Sequence, residues 1–478
     1  MSAYITKAEC FVPCSRIFTS LYQQPMAAFL DSSLHNELGK YSIIGISPYH
    51  VLKESCGILY VNGKKSSISF DTYIKDFLKK QKEENPTSLP LVSGGIGFFS
   101  YDYGRSFEQL KTRHPKQNAM PDTMVAFYDC FFIEDVQKQE LYLIANGKLQ
   151  EPAKSIAQMQ EYIKIAQLKY TDQARKPANC PCDNCSAPSS TTSKRTFPPS
   201  LEIKELESLV KKPVSKEAYQ KAIEQVIEYI EKGHIYVMNL TQQLTVSSTR
   251  PPYEVFQRLR QHNPAPFSAY LNCEEGEIIS ASPERFLRIQ NGKIETRPIK
   301  GTRKRGNTQE EDALLKAELK HSEKDKSELL MIVDLERNDL NRICEPGSVQ
   351  VTELFQLETY STVFHLIANI VGTLQNDVDV VDVLHATFPG GSITGAPKVR
   401  AMEIIDELES LPRGIYTGIL GYISLNGDCD FNIAIRTALH QKGSYHIGVG
   451  GGITYESDTE FEYEETLQKA KALVEAIL

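Results

Sequence analysis

Thr296-Arg297-Pro298-Ile299-Lys300-Gly301-Thr302-Arg303 closes the strand-like run Gly292 to Ile299 and decides how the second half of the chain is read. Lys300 is a lone amine between Ile299 and Gly301, at the exit of that run. Desolvation at such a position lowers the pKa of an amine and frees its lone pair, which makes Lys300 a candidate nucleophile. Arg297, Arg303, Lys304 and Arg305 crowd the same segment. Taken alone, a basic run of this kind reads as a solvated surface loop, so the chemistry has to be argued from the rest of the chain.

The 478 residues are 41% hydrophobic and 24% charged, which is ample for a large core, and the length suggests roughly two to four domains. A formal net charge of -8 leaves no basic field for a polyanion, and no nucleic-acid partner is expected. No stretch approaches the ~20 apolar residues that span a bilayer, and Met1-Ser2-Ala3-Tyr4 does not begin a secretory signal, so a cytoplasmic protein without a membrane partner is expected. Most of the ten cysteines lie singly in apolar runs, as do Cys130 before Phe131 and Cys344 after Ile343, and read as buried free thiols. Cys180, Cys182 and Cys185 have spacing that offers three soft ligands to zinc. No fourth ligand lies beside them, and Ser186 to Ser193 follows with linker composition, which favours a flexible insert.

That insert divides the chain. Before it, Tyr41 to Ile46, Ser93 to Tyr101 and Thr123 to Phe132 read as strands broken by Gly, Pro and Asn, and Ser155 to Tyr170 reads as a helix. This is an α+β pattern. After it, Ser215 caps a helix with Tyr219, Ile223, Val226, Ile227 and Ile230 at three-to-four spacing, followed by strands near Ile235 to Val246, Phe267 to Leu271 and Ile278 to Arg288 and a helical region Glu310 to Asn341. The expected organisation is an N-terminal domain over 1–172, a flexible Cys/Ser/Pro-rich linker over 173–213 and a second domain over 214–478.

The densest acid cluster is Ser457-Asp458-Thr459-Glu460-Phe461-Glu462-Tyr463-Glu464-Glu465. Ser457 and Glu460 form a capping box, and the helical period then places Glu462, Glu465 and Lys469 on one face. In another helix Asp325 and Glu328 share a face beside an apolar run. Carboxylates half sunk in a core need a cation, and acids from two helices without sulfur or imidazole suit a hard ion that keeps waters, magnesium when the substrate is an anion. Gly448-Val449-Gly450-Gly451-Gly452 follows an apolar strand, and its backbone N–H groups can approach a carboxylate closely. Phe388 to Lys398 resembles a phosphate loop, but Ala396-Pro397 stands where Lys-Ser/Thr is required, so it is read as a loop aiming a helix N-terminus at an anion. Arg436 projects from the apolar run Asn432 to Thr437 as either a structural ion pair or a bidentate carboxylate clamp.

These segments together resemble the chorismate-utilising enzymes. The runs that carry the resemblance are Ser282-Pro283-Glu284-Arg285-Phe286, Arg297 to Thr302, Asp334 to Leu340, Phe364-His365-Leu366, Pro389 to Lys398, Ile435-Arg436-Thr437, Gly450 to Gly452 and Glu462 to Lys469. They cover most of 214 to 475. Leu30-Asp31-Ser32 and Tyr41 to Gly45 extend a weaker match into the first half, which looks like the companion domain of anthranilate and aminodeoxychorismate synthase large subunits. The fold implied is that of the anthranilate synthase large subunit, two β-sheets packed as a sandwich and flanked by helices.

Anthranilate synthases generally carry alanine where Lys300 stands, whereas aminodeoxychorismate synthase large subunits carry lysine, and Asn263 to Tyr270 also looks more like that branch. The resemblance therefore implies conversion of chorismate and ammonia to 4-amino-4-deoxychorismate, for p-aminobenzoate and folate synthesis, with the tryptophan-branch activity as the alternative. In the roles it implies, Lys300 attacks ring C2 while the C4 hydroxyl leaves, and Glu284 is the general acid and later the base. Glu328 and Glu465 hold Mg²⁺ against the ring carboxylate, with Asp325 and Glu462 close by. Arg436, Tyr416 and the Gly450, Gly451 and Gly452 amides hold the enolpyruvyl carboxylate with Lys469 alongside, and His365 and Ser392 line the ring pocket. Two positions depart from the family pattern. Val237 stands where an amide side chain is usual, and Asn341 where glycine is usual. No cysteine sits in a glycine-flanked nucleophile turn, so ammonia is expected from a separate glutamine amidotransferase subunit.

Overall fold

Two long strands, Tyr41–Ser55 and Thr123–Asp135, pair along their length and form the ladder from which the rest of the sheet grows. Every residue of Thr123–Asp135 is buried, as its continuous apolar run requires of a strand covered on both faces. The register of Tyr41–Ser55 slips between Pro48 and His50, where Ser47 has a φ of 59°. Proline cannot donate to a ladder, and the slip bends the strand there. The computed structural model describes residues 3–175 and 201–478 apart from positions 35, 109, 111, 117, 307, 361 and 362. The Cys180, Cys182 and Cys185 run lies outside the described residues.

Two arms of sheet leave this ladder. Along the first, Ala28–Asp31 pairs with Tyr41–Ser55 and with Phe267–Cys273, and the order continues through Gly276–Ser282, Thr437–Gln441 and Ser444–Ile453 to Val237–Ser247. Along the second, Gly94–Phe99 pairs with Thr123–Asp135 and with Ile419–Ser424, and the order runs through Cys429–Ile433, Arg285–Gln290 and Lys293–Arg297 to Val363–Thr373. The architecture is α+β, and its two sheets are continuous through the shared ladder. The larger hydrophobic cluster includes Phe18, Phe127, Ile294, Phe364 and Leu467, and the smaller one includes Ile96, Phe131, Ala269 and Leu420.

Both clusters and both arms mix residues from the two halves of the chain, 1–172 and 214–478. Short strands such as Ala28–Asp31 and Gly94–Phe99 present two edges each, and one edge of each is satisfied only by a second-half strand. The expected linker 173–213 is shorter at both described ends. Helix Pro152–Arg175 runs past 172, Ile203–Leu209 is helical with Leu206 buried, and Lys211 bridges to Thr245.

Helix starts follow the capping logic, with one shift. Ser215 accepts from the Ala218 N–H and opens Lys216–Glu231, burying Tyr219, Ile223 and Val226. The region Glu310 to Asn341 is two helices, Gln309–His321 and Glu323–Asn341, because Ser322 caps the second by accepting from the Asp325 N–H. The C-terminal helix Thr459–Ile477 is capped by Asp458, not Ser457, and the Ser457 hydroxyl is freed to donate to Glu462 at 2.7 Å. Its buried Tyr463, Leu467, Ala470 and Val474 hold it against the sheet, each large side chain contributing about 1.5–3 kcal/mol. Cys14, Cys130, Cys273, Cys344 and Cys429 are buried free thiols, while Cys10 and Cys56 are exposed. Among the described residues no helix is long and apolar enough to cross a membrane.

Candidate active site

The far ends of the two arms meet around Lys300. The strand expected over Gly292 to Ile299 is broken at Pro298, so Lys300 does not end a strand. It is the second residue of a new one, Ile299–Lys304, which keeps the same partner, Val363–Thr373. Gly301 has a φ of 76° and the register slips between Lys300 and Thr302. This bulge re-aims the lysine, and a Cβ at Gly301 would lie 2.8 Å from Asp325 Oδ1. The half-buried Lys300 Nζ donates to the Ser392 carbonyl at 3.1 Å and stands 3.7 Å from where a Gly452 Cβ would be. Its surroundings are acidic and not only apolar, because its charge acts on Glu284, Glu328 and Glu465.

Ser392 joins this amine to a carboxyl group. Its hydroxyl donates to Glu284 Oε1 at 2.8 Å while its carbonyl accepts from Lys300. Glu284 follows strand Gly276–Ser282 and is 6% exposed. Burial pushes its pKa up, against the opposing Ser392 hydrogen bond and Lys300 charge. It forms no pair with its neighbour Arg285, which turns to Asp430 and Glu295. Glu284 is thus a carboxyl group inclined to carry a proton, held beside an amine.

The acids gather from two helices. Glu462 is buried, and Ser457 bonds one of its oxygens, leaving Oε2 without a partner. That oxygen would lie 3.0 Å from a Cβ at Gly451, and Glu465 Oε2 would lie 3.4 Å from it. Burial and the nearby Glu465 charge push Glu462 up to about 7. For Glu465 burial acts upward, but the Lys469 ammonium 3.0 Å away overrides it and holds the carboxyl low. Glu328 is raised by burial, and Asp325 and Glu465 add to the rise while Lys300 and Lys324 oppose it. Asp325 is engaged by Arg303 at 3.1 Å. Among the described residues no three acidic, histidine or cysteine side chains form a metal cage. A magnesium ion is commonly held by one or two protein carboxylates, substrate and water, and the unpartnered Glu462 oxygen beside Glu465 fits that role.

An anion pocket lies alongside. Arg436 does not project from a strand; it occupies the turn between Cys429–Ile433 and Thr437–Gln441 with a φ of 52°. Its guanidinium donates to the Lys469 carbonyl, and among the described residues no carboxylate pairs with it. A sheltered guanidinium without a counter-ion favours the clamp over the structural ion pair. Tyr416 is buried, and its ring packs so tightly on the glycine strand that a Cβ at Gly448 would lie 2.0 Å from it. Gly450, Gly451 and Gly452 sit inside strand Ser444–Ile453, not in a loop, opposite Thr241, Leu240 and Asn239. Beyond Ile447 the other edge is no longer paired with Thr437–Gln441, which leaves N–H groups on that edge for an anion. Lys469 ties the helix to this strand by donating to the Gly450 carbonyl at 2.9 Å.

His365 is buried beside Thr302, whose hydroxyl is 2.9 Å from Nδ1, and burial lowers its pKa to about 4. It is a neutral, hydrogen-bonded ring. The loop Phe388 to Lys398 brings Ser392 to the site, whereas Lys398 turns away to Asp339 and the Thr387 carbonyl. The helix Lys398–Leu408 is preceded by Pro397 as its cap. Val237 lines the site, its Cγ2 3.9 Å from where a Gly452 Cβ would be. Three contributors escape sequence reading. Arg413 donates to Glu409, Ile393 and Asn239 and so fixes the Ser392 loop, Lys324 acts on Glu328 and Glu462, and Thr302 positions His365. Only Thr302 carries a signal, since it lies in the opening motif.

The chain belongs to the chorismate binding enzyme family, whose profile it matches over residues 44–475. It is 37% identical over 446 residues to aminodeoxychorismate synthase component 1 of Bacillus subtilis, covering 92% of this chain and 89% of that one. It is 36% identical over 468 residues to anthranilate synthase component 1 of Acetivibrio thermocellus, covering 95% and 91%. Among solved structures, anthranilate synthase component I from Streptococcus pneumoniae superposes with a TM-score of 0.73 at 29% identity, covering 92% of this chain and 93% of the other.

Proposed function

We propose that this enzyme aminates chorismate at C4 and forms 4-amino-4-deoxychorismate, as component I of an aminodeoxychorismate synthase. The observation that carries the reading is Ser392, which holds the Lys300 amine through its carbonyl and the Glu284 carboxyl through its hydroxyl. In the proposed reaction Lys300 Nζ forms a bond to ring C2 as both double bonds of the ring diene shift, the second toward C4, and the C4–O bond breaks. The leaving oxygen takes the Glu284 proton and departs as water. Ammonia then adds at C4, both double bonds shift back and the C2–N bond to Lys300 breaks, with Glu284 taking up the proton that the new C4 ammonium loses. Arg436 and the edge amides of Gly450 to Gly452 orient the enolpyruvyl carboxylate, and Tyr416 walls that pocket. Glu328, Glu465 and Glu462 would hold Mg²⁺, whose charge neutralises the ring carboxylate.

Relatives that make anthranilate are about as similar as those that make aminodeoxychorismate, which keeps anthranilate synthesis as the second reading. Purified protein given Mg²⁺, chorismate and ammonia is expected to yield 4-amino-4-deoxychorismate, and anthranilate as the product overturns the first reading. Because a glutaminase nucleophile is absent from the sequence motifs, a separate amidotransferase subunit is expected to co-purify when glutamine supports turnover. Glutamine-dependent activity from this chain alone would exclude that.

A further inference from the structure

Helix Glu323–Asn341 buries Leu329, Ile332, Val333 and Leu340, and Glu336 is buried on the same face. A carboxylate there is costly unless a cation or a proton neutralises it. Among the described residues no cation pairs with Glu336. Lys398, the positive group that acts on it from helix Lys398–Leu408, is bonded to Asp339 and to the Thr387 carbonyl.

Hydrogen-bond accounting then favours a proton on Glu336. Thr296 Oγ1 lies 2.6 Å from the Phe286 carbonyl and 3.0 Å from Glu336 Oε2. A carbonyl only accepts, and threonine has one hydroxyl proton. The shorter contact, 2.6 Å, is to Phe286, and one hydroxyl proton shared with Glu336 Oε2 at 3.0 Å serves that oxygen poorly unless Glu336 itself carries a proton and donates to the Thr296 lone pair. The register slips around Phe286 on both sides of its strand, so Phe286 has no register partner there, and its carbonyl accepts this hydroxyl. Phe286 is two residues from Glu284, and the same segment lines a small cavity with Glu336 and with Gly391, the residue before Ser392.

We propose that Glu336 is a positioning residue held as a neutral acid, which pins the Glu284 turn through Thr296 and leaves Glu284 free to ionise during turnover. Burial and the proximity of Glu284 push Glu336 up to about 8, Asp339 adds to the rise, and Lys398 opposes it. Above that pH the Thr296 bridge is lost and a second negative charge lies near Glu284. The alkaline limb of the activity profile therefore reports Glu336. The positioning role rests on the reading of Glu284 as the acid; the protonation state does not.

Two measurements on the full chain decide it. Infrared difference spectra of parent minus Glu336→Gln are expected to contain the carbonyl stretch of a protonated carboxyl at pH 7, fading as pH passes about 8. Its absence at pH 7 overturns the proposal without any reference to the reaction. Chorismate consumption is then followed against pH under identical ammonia conditions. Glu336→Gln, neutral and still a donor to Thr296, is expected to keep neutral-pH turnover and to move the alkaline limb upward by about one unit or more. Glu336→Met, neutral but unable to donate, is expected to show the same displaced limb with kcat about tenfold lower. A limb that coincides with the parent's in both variants overturns the positioning role.

Discussion

The duties proposed for Lys300 and Glu284 are separable, and substitution should expose them differently. Lys300→Ala is expected to lower chorismate turnover by roughly 100-fold or more with Mg²⁺ retained, and intact-protein mass spectrometry of the parent under limiting ammonia should detect the chorismate-derived adduct that the variant lacks. Undiminished turnover in the variant at low ammonia would remove the covalent route. Glu284→Gln keeps the Ser392 contact but has no proton to give, and a kcat loss of about 10²–10⁴-fold is expected with little change in KM. Lys300, Glu284, Arg436 and the acids were legible because each stands in a motif with its own chemistry. Glu336 and Arg413 were not, because a charge on a helix or beside a loop looks solvated in sequence. Only packing reveals that Arg413 is buried with Glu409 and that Glu336 faces a core.

At the scale of elements, the Mg²⁺ binding proposed for the acid-bearing helices is expected to depend on pH. Glu462 holds its proton up to about 7 in the folded protein, against an ordinary 4.5. The folded state therefore binds an extra proton between those values, and its stability falls as pH rises through the upper one. Magnesium requires the ionised form, so its affinity, measured calorimetrically with proton release, is expected to rise by up to about tenfold per pH unit toward pH 7. A flat affinity from pH 6 to 8 would remove Glu462 from the ligand set. Arg413→Met strips Glu409 of its partner and releases the Ser392 loop. A loss of about 3–5 kcal/mol in denaturant unfolding is expected. Sequence periodicity located most of these elements, but Arg436 and Gly301 adopt left-handed backbone conformations. No hydropathy pattern distinguishes such a turn or bulge from a continuing strand.

For the whole molecule, the α+β class was legible in the alternation of strands and helices, whereas the partnership between halves was not, because strand pairing across more than two hundred residues leaves no mark on local sequence. Residues 214–478 expressed alone should lack the partners of Phe267–Cys273 and Ile419–Ser424. They are expected to be insoluble or without a cooperative unfolding transition, and co-expression with residues 1–213 should restore both. An independently folded, chorismate-binding second half would refute this. The shared ladder also sets a timetable for synthesis. Asp31 pairs with Ser268, so at ribosomal rates of ~5–20 residues per second the edge of Ala28–Asp31 waits roughly 10 to 50 s for its neighbour. During that interval a growing chain offers bare backbone to other nascent chains, which makes slowed translation or chaperone shielding of the first half a determinant of yield.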